Sequence, residues 1–166
     1  MASAEQHYTL PAPTFDKPIK LLIVVAPYYK DITDQLVAGA TAAAKGCGAE
    51  VELIEVPGAL EVPTAIAMAE RMQKFDAYVA LGCVIRGETT HYETVCNDSS
   101  RAISMLGLGG ACVGNGILTV ENRAQALARA EVAGQNKGGG AALAALHLAA
   151  LSRKWARSTT GIGFRA

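Results

Sequence analysis

Ile19-Lys20-Leu21-Leu22-Ile23-Val24-Val25-Ala26-Pro27 is the stretch that decides the fold. Its apolar, largely β-branched residues run on without strict alternation, and it is too short for a buried helix. Such a run reads as a strand covered on both faces, and Pro27 ends it. The same grammar then repeats. Ile32, Leu36, Val37, Ala40, Ala43 and Ala44 recur at helical spacing and stop at Gly46 and Gly48. A second strand is expected over 50–56, closed by Pro57-Gly58. A helix follows over 61–74, with Pro63 tolerable only in its first turn. A third strand is expected over 76–83, a helix over 91–108 broken by Gly109-Gly110, and a fourth strand over 111–120. Two helices, over 121–133 and 137–155, finish the pattern.

Strands and helices alternate four times, and the strands read as continuously apolar. Right-handed crossovers then give a parallel, doubly wound sheet between two helical layers, with ligands taken at the carboxyl ends of the strands. Residues 1–18 read as an extended or disordered arm, 19–156 as one domain and 157–166 as a polar tail. The chain of 166 residues is long enough for one real core.

Composition narrows the function classes. Hydrophobic residues make up 51% and charged residues 18%, which is apolar for a monomer of this size and implies surface buried against further copies. The formal net charge is +0 and no basic run occurs, so a nucleic-acid surface is not expected. Cys47, Cys83, Cys96 and Cys112 form no C-x-x-C pair and have no histidine at ligand spacing, so neither metal nor redox chemistry is expected of them. The N-terminus lacks the apolar core of a signal peptide, and the run 138–151 is too short to span a bilayer. A cytoplasmic protein with no membrane partner is the expectation.

Nucleotide motifs fail where they are tried. Gly107-Leu108-Gly109-Gly110-Ala111-Cys112 misses the final glycine of a dinucleotide loop and leads into a strand rather than out of one. Gly134-Gln135-Asn136-Lys137 is no Walker loop, and Pro27-Tyr28-Tyr29-Lys30 is a poor flavin-phosphate loop. The segment Arg86-Gly87-Glu88-Thr89-Thr90-His91 differs, because it lies where the third strand hands over to a helix. Backbone N–H groups there can hold an anion. The helix dipole favours a neutral His91 able to give or take a proton. The bland alternative is a turn with a helix-capping threonine. Glu61, at a helix start, reads equally as a dipole-friendly acid or as an acceptor for a polyol. Arg129 and Lys137 flank a turn, and Asn136 is placed to cap the last helix. Gly138-Gly139-Gly140 allow close backbone approach. His147 reads as structural or solvent-facing and His7 as inert.

Four segments carry a family resemblance, in family order and spacing. They are Val56-Pro57-Gly58-Ala59-Leu60-Glu61-Val62-Pro63, Leu81-Gly82-Cys83-Val84-Ile85-Arg86-Gly87-Glu88-Thr89-Thr90-His91-Tyr92, Gly116-Ile117-Leu118-Thr119-Val120-Glu121-Asn122 and Asn136-Lys137-Gly138-Gly139. The chain resembles the 6,7-dimethyl-8-ribityllumazine synthases of riboflavin biosynthesis over about residues 19–155. The resemblance implies a three-layer α/β/α fold with a four-stranded parallel sheet of flavodoxin-like topology. It implies a transferase that condenses 5-amino-6-(D-ribitylamino)uracil with 3,4-dihydroxy-2-butanone 4-phosphate, without metal or other cofactor.

By the same resemblance His91 is the general acid/base. Gly87, Glu88, Thr89 and Arg129 serve the butanone phosphate. Tyr28, Ala59, Leu60, Glu61, Cys83, Val84, Ile85, Asn115 and Lys137 serve the pyrimidine and ribityl chain. The family builds each site between neighbours of a homopentamer, some pentamers joining into larger assemblies, with Asn115, Arg129 and Lys137 given by the neighbour. Tyr28, Leu60 and Asn115 depart from the more aromatic residues of many relatives. They leave open an alternative, a paralogue that mainly binds flavin or lumazine, or forms a shell, with little catalysis.

Overall fold

The structure, a computed structural model, describes residues 7–159. The first six residues of the expected arm and residues 160–166 of the expected tail lie outside the described residues. Among the described residues nine elements follow one another: β1 (Ile19–Val25), α1 (Lys30–Gly46), β2 (Ala49–Glu55), α2 (Glu61–Met72), β3 (Ala77–Ile85), α3 (His91–Leu108), β4 (Val113–Val120), α4 (Arg123–Ala130) and α5 (Lys137–Thr159). The strands form one parallel sheet in the order β2-β1-β3-β4. This is the expected three-layer α/β/α architecture with flavodoxin-like topology.

Alternation along β1 and β3 divides the core. Leu21, Ile23, Val25, Val79 and Leu81 face α1, α4 and α5, where Ile32, Leu36, Ala126, Ala142 and Leu146 meet them. Leu22, Val24, Tyr78 and Ala80 face α2 and α3, meeting Val62, Ile66 and Ile103. Both central strands are therefore covered on both sides, as their apolar runs require. The expectation of full cover fails at β2. Its sequence, AEVELIE, carries three glutamates, it lies at the sheet edge, and Leu53 is 45% exposed.

Small residues bring α5 onto the sheet and onto α1. A Cβ on Gly114 would meet the carbonyl oxygen of Ala141, and one on Gly138 the carbonyl oxygen of Leu36. Only glycine permits these approaches. Asn136 precedes α5 with φ of 46°, and its Oδ1 accepts from Gly139 N at 3.2 Å, so it caps the helix. α1 ends at Gly46, and two residues on Gly48 turns the chain away with a φ of +78° that suits a residue without a side chain.

Helix bounds differ from the expected ones for local reasons. α4 starts at Arg123 because Asn122 Oδ1 accepts from Gln125 N, while Gln125 Oε1 accepts from Glu121 N. That reciprocal pair fixes the helix start two residues later than expected. α5 runs past the expected Trp155 to Thr159, and Arg153 ties it to the chain entering β1 by donating to Lys17 O and Pro18 O.

Candidate active site

The carboxyl ends of β1, β2 and β3 open onto a cleft of about 500 Å³. Each strand contributes the segment that follows it. After β1 come Tyr28 and Tyr29, packed edge to face with ring centroids 5.0 Å apart. Tyr28 is 75% exposed, so a ring face is free for stacking. After β2 come Pro57, Gly58, Ala59, Leu60 and Glu61. Glu61 opens α2, and its N–H is held by Gly58 O at 3.1 Å. After β3 come Cys83, Val84, Ile85, Gly87 and Thr89, and α3 supplies His91, Tyr92 and Val95.

β3 continues through Ile85, further than expected, because Arg86 N donates to Val120 O at 3.0 Å and extends the ladder with β4. Beyond that rung the chain turns through Gly87–Thr90 into α3. Thr90, which stands at the cap position, makes no side-chain capping bond. Thr89 accepts instead, its Oγ1 standing 3.4 Å from His91 N. His91 is the first residue of α3 and exposed, and its imidazole makes no hydrogen bond among the described residues.

Charge around the loop is paired locally. Arg86 Nε donates to Glu121 Oε2 at 2.7 Å, Arg86 Nη1 donates to Glu93 Oε1, and the guanidinium lies 4.2 Å over the Tyr92 ring. The hydrogen bonds to Glu93 and then Glu121 raise the affinity of Arg86 for its proton, and Arg86 in turn holds Glu93 below the usual carboxylate range. Burial pushes the Cys83 thiol up to about 11, so it meets the cleft as a neutral, weakly polar group.

Ten of the expected site residues line this one cleft: Tyr28, Ala59, Leu60, Glu61, Cys83, Val84, Ile85, Gly87, Thr89 and His91. Glu88 sits in the same loop but is not among the lining residues. Asn115, Arg129 and Lys137 do not line it either. Asn115 lies on β4 and accepts from Ile117 N. Arg129 lies on α4, where one guanidinium nitrogen donates to Gln125 O at 3.0 Å. Lys137 opens α5 and is exposed. Sequence reasoning missed Tyr29, Tyr92 and Val95. The four-residue spacing of His91 and Val95 puts them on one helix face, a signal that was there to be read.

Among the described residues no group of three or more His, Cys, Asp or Glu side chains is placed to hold a metal ion. What the cleft offers is an exposed aromatic ring, a carboxylate, a glycine-containing turn and an imidazole. A three-layer parallel sheet with such a cleft at its carboxyl edge defines an α/β enzyme that acts on small molecules.

Comparison with known proteins makes this specific. The family model for 6,7-dimethyl-8-ribityllumazine synthase matches residues 18–153. A protein of that name from Jannaschia sp. (strain CCS1) is 55% identical over 153 residues, covering 92% of this chain and 86% of the relative. One from Novosphingobium aromaticivorans is 57% identical over 136 residues, 82% of this chain and 98% of the relative. One from Zymomonas mobilis subsp. mobilis is 52% identical over 135 residues, 81% and 97%. The chain belongs to the 6,7-dimethyl-8-ribityllumazine synthase family.

Proposed function

We infer that this chain is the transferase of riboflavin biosynthesis that joins 5-amino-6-(D-ribitylamino)uracil to 3,4-dihydroxy-2-butanone 4-phosphate. The products are 6,7-dimethyl-8-ribityllumazine, phosphate and water. The observation that carries this reading is the gathering of two family segments, 57–61 and 83–92, around one cleft.

The chemistry follows from those residues. The pyrimidine lies against Tyr28 and the Cys83–Ile85 backbone, and Glu61 accepts from the ribityl hydroxyls. The phosphate of the butanone lies at the Gly87–Thr89 turn, where N–H groups without helical partners meet its charge. Its ketone condenses with the uracil's amine to an imine, and water leaves. Phosphate then departs from the butanone with a proton taken from the adjoining carbon, the enol left behind becomes a ketone, and the second nitrogen attacks that ketone and closes the ring with loss of a second water. His91 moves protons in these steps from its place beside the loop. Phosphate departure is eased where its growing charge is held.

Arg129 is the phosphate's cation, its planar fork suiting phosphate oxygens, while Asn115 and Lys137 reach the pyrimidine end. None of the three lines the cleft of its own subunit, so each serves the cleft of a neighbour in a homopentamer. The exposed Met68, Met72, Met105 and Leu108 on α2 and α3 support association, since they form apolar surface that water would otherwise meet. Larger assemblies of pentamers are compatible with the short turn between α4 and α5. Cytoplasmic location goes with four free thiols. No helix among the described residues is long and apolar enough to cross a membrane.

Purified protein given both substrates should form a fluorescent lumazine and release one phosphate per turnover. A rate no greater than that of the substrates alone would overturn the reading. Sedimentation should give a particle of about five times the 17.2 kDa chain, or a multiple of it.

A further inference from the structure

We propose that Arg86 is the positioning residue of the cleft. It pins the ends of β3 and β4 to the first turn of α3, and so sets where the Gly87–Thr90 backbone and His91 stand. The proposal rests on the roles given above to that loop and to His91.

The geometry is a clamp with anchors on two sides of the loop. Arg86 follows the last residue of β3, and its own N–H makes a rung to Val120 O at 3.0 Å. Its side chain then takes hold of Glu121, just past β4, through Nε at 2.7 Å. On the far side of the loop Nη1 takes Glu93, in the first turn of α3. The guanidinium plane also lies 4.2 Å over the ring of Tyr92, the residue next to His91 and itself a wall of the cleft. A four-residue loop therefore has its entry and its exit fixed to one rigid, planar group.

Little else holds that loop. Gly87 adds conformational freedom, and a Cβ there would meet nothing within 4 Å. Among the described residues the only side-chain bond inside the turn is the 3.4 Å contact from His91 N to Thr89 Oγ1. Arginine is suited to the task and lysine is not. A guanidinium reaches two carboxylates in different directions and stacks on a ring at once, whereas an ammonium is a point charge.

The same pairing says what Arg86 does not do. Two carboxylates meet its single charge, so the cluster is not a cationic site for phosphate, which leaves that task to another residue. The partners are 39%, 47% and 56% exposed along their side chains. Exposed pairs of this kind add little to global stability. Their removal should therefore be felt in the placement of the loop more than in the fold.

The test compares Arg86→Met, Arg86→Lys and the double variant Glu93→Gln/Glu121→Gln with the native full-length protein. Arg86→Met is expected to lower kcat on the order of 100-fold, the cost of misplacing groups by about an ångström, with KM for the butanone phosphate changed less than about threefold. Arg86→Lys should recover part of the loss, and the double variant should resemble Arg86→Met while retaining the arginine. Melting temperature and sedimentation should stay near native. Amide exchange at 87–91 should quicken by about tenfold or more in both Arg86→Met and the double variant. That readout needs no substrate, so it judges the clamp even if no lumazine forms and the functional reading fails. Unchanged exchange, or unchanged kcat in an active protein, overturns the proposal. A raised KM at native kcat also overturns it, by making Arg86 a phosphate ligand. Should Arg86→Met fold poorly, the double variant decides by the same measures.

Discussion

Gly114 on β4 and Ala141 on α5 are in backbone contact: a Cβ on Gly114 would stand 1.9 Å from the Ala141 carbonyl oxygen. The obstacle is main chain within a helix, which cannot turn aside as a side chain does. Gly114→Ala is expected to destabilise the protein by about 3 kcal/mol or more, at or beyond the upper end of ordinary overpacking. Gly140→Ala, in the same helix with nothing within 4 Å, should be neutral or stabilising by up to ~1 kcal/mol. Urea unfolding of the two variants checks the contrast, and equal midpoints would refute it.

Turnover and phosphate affinity should separate by residue. His91→Ala is expected to lower kcat by roughly 10²- to 10⁴-fold, the usual worth of a positioned acid/base, while inorganic phosphate still binds. Arg129→Ala should raise KM for the butanone phosphate by about ten- to a hundredfold, as loss of a charged hydrogen bond does. Steady-state kinetics with each substrate varied in turn makes the comparison. If Arg129→Ala leaves that KM unchanged, the phosphate's cation is another residue.

Alkaline pH should weaken the fold through its thiols. Burial raises Cys83 from 9.0 to about 11, and desolvation also raises Cys47, Cys96 and Cys112. A group that keeps its proton longer when folded stabilises fully below its unfolded value. That contribution is lost as pH rises through the folded one. Urea midpoints should therefore fall steadily between about pH 9 and 11, and Cys83→Ala should flatten part of the fall. At about pH 8 iodoacetamide should leave Cys83 unmodified until the protein is denatured.

The root of the N-terminal arm depends on Arg153. It donates to Lys17 O at 2.9 Å and Pro18 O at 2.6 Å, lies 3.5 Å from Asp76, and has Phe15 beneath its guanidinium. Arg153→Ala is expected to cost about 1–2 kcal/mol and to speed amide exchange at Lys20, whose N–H is held by Asp76 Oδ2. Native exchange at that position would show the arm to be held by other contacts.

The parts of the fold that could be read from the chain are those set by local pattern. β1 and the apolar part of β3 declare themselves because both faces of each are buried, and α1 and α3 because glycines end them. What could not be read depends on residues far away in sequence. β3 reaches Ile85 only because Val120 accepts from Arg86, and α5 runs on beyond Trp155. β2 reads as less covered than expected because position at a sheet edge is a property of the whole sheet. The cleft was legible as motifs after three strands. Tyr92 closes one of those motifs, while Val95 joined the cleft through helix geometry alone.

Strand order has a consequence for how the chain is made. β1 is synthesised first, yet it pairs on one side with β2 and on the other with β3, so its second edge waits for some fifty more residues. The buried face of α1, with Ile32, Leu36 and Ala40, waits longer, because α5 covers it. A nascent chain therefore carries the α5-facing side of α1 uncovered until α5 has left the ribosome, and this is the interval in which it is most open to aggregation and to chaperones. Closure belongs to α5, so a chain cut before residue 137 would keep every strand and still leave the α5-facing side of α1 bare.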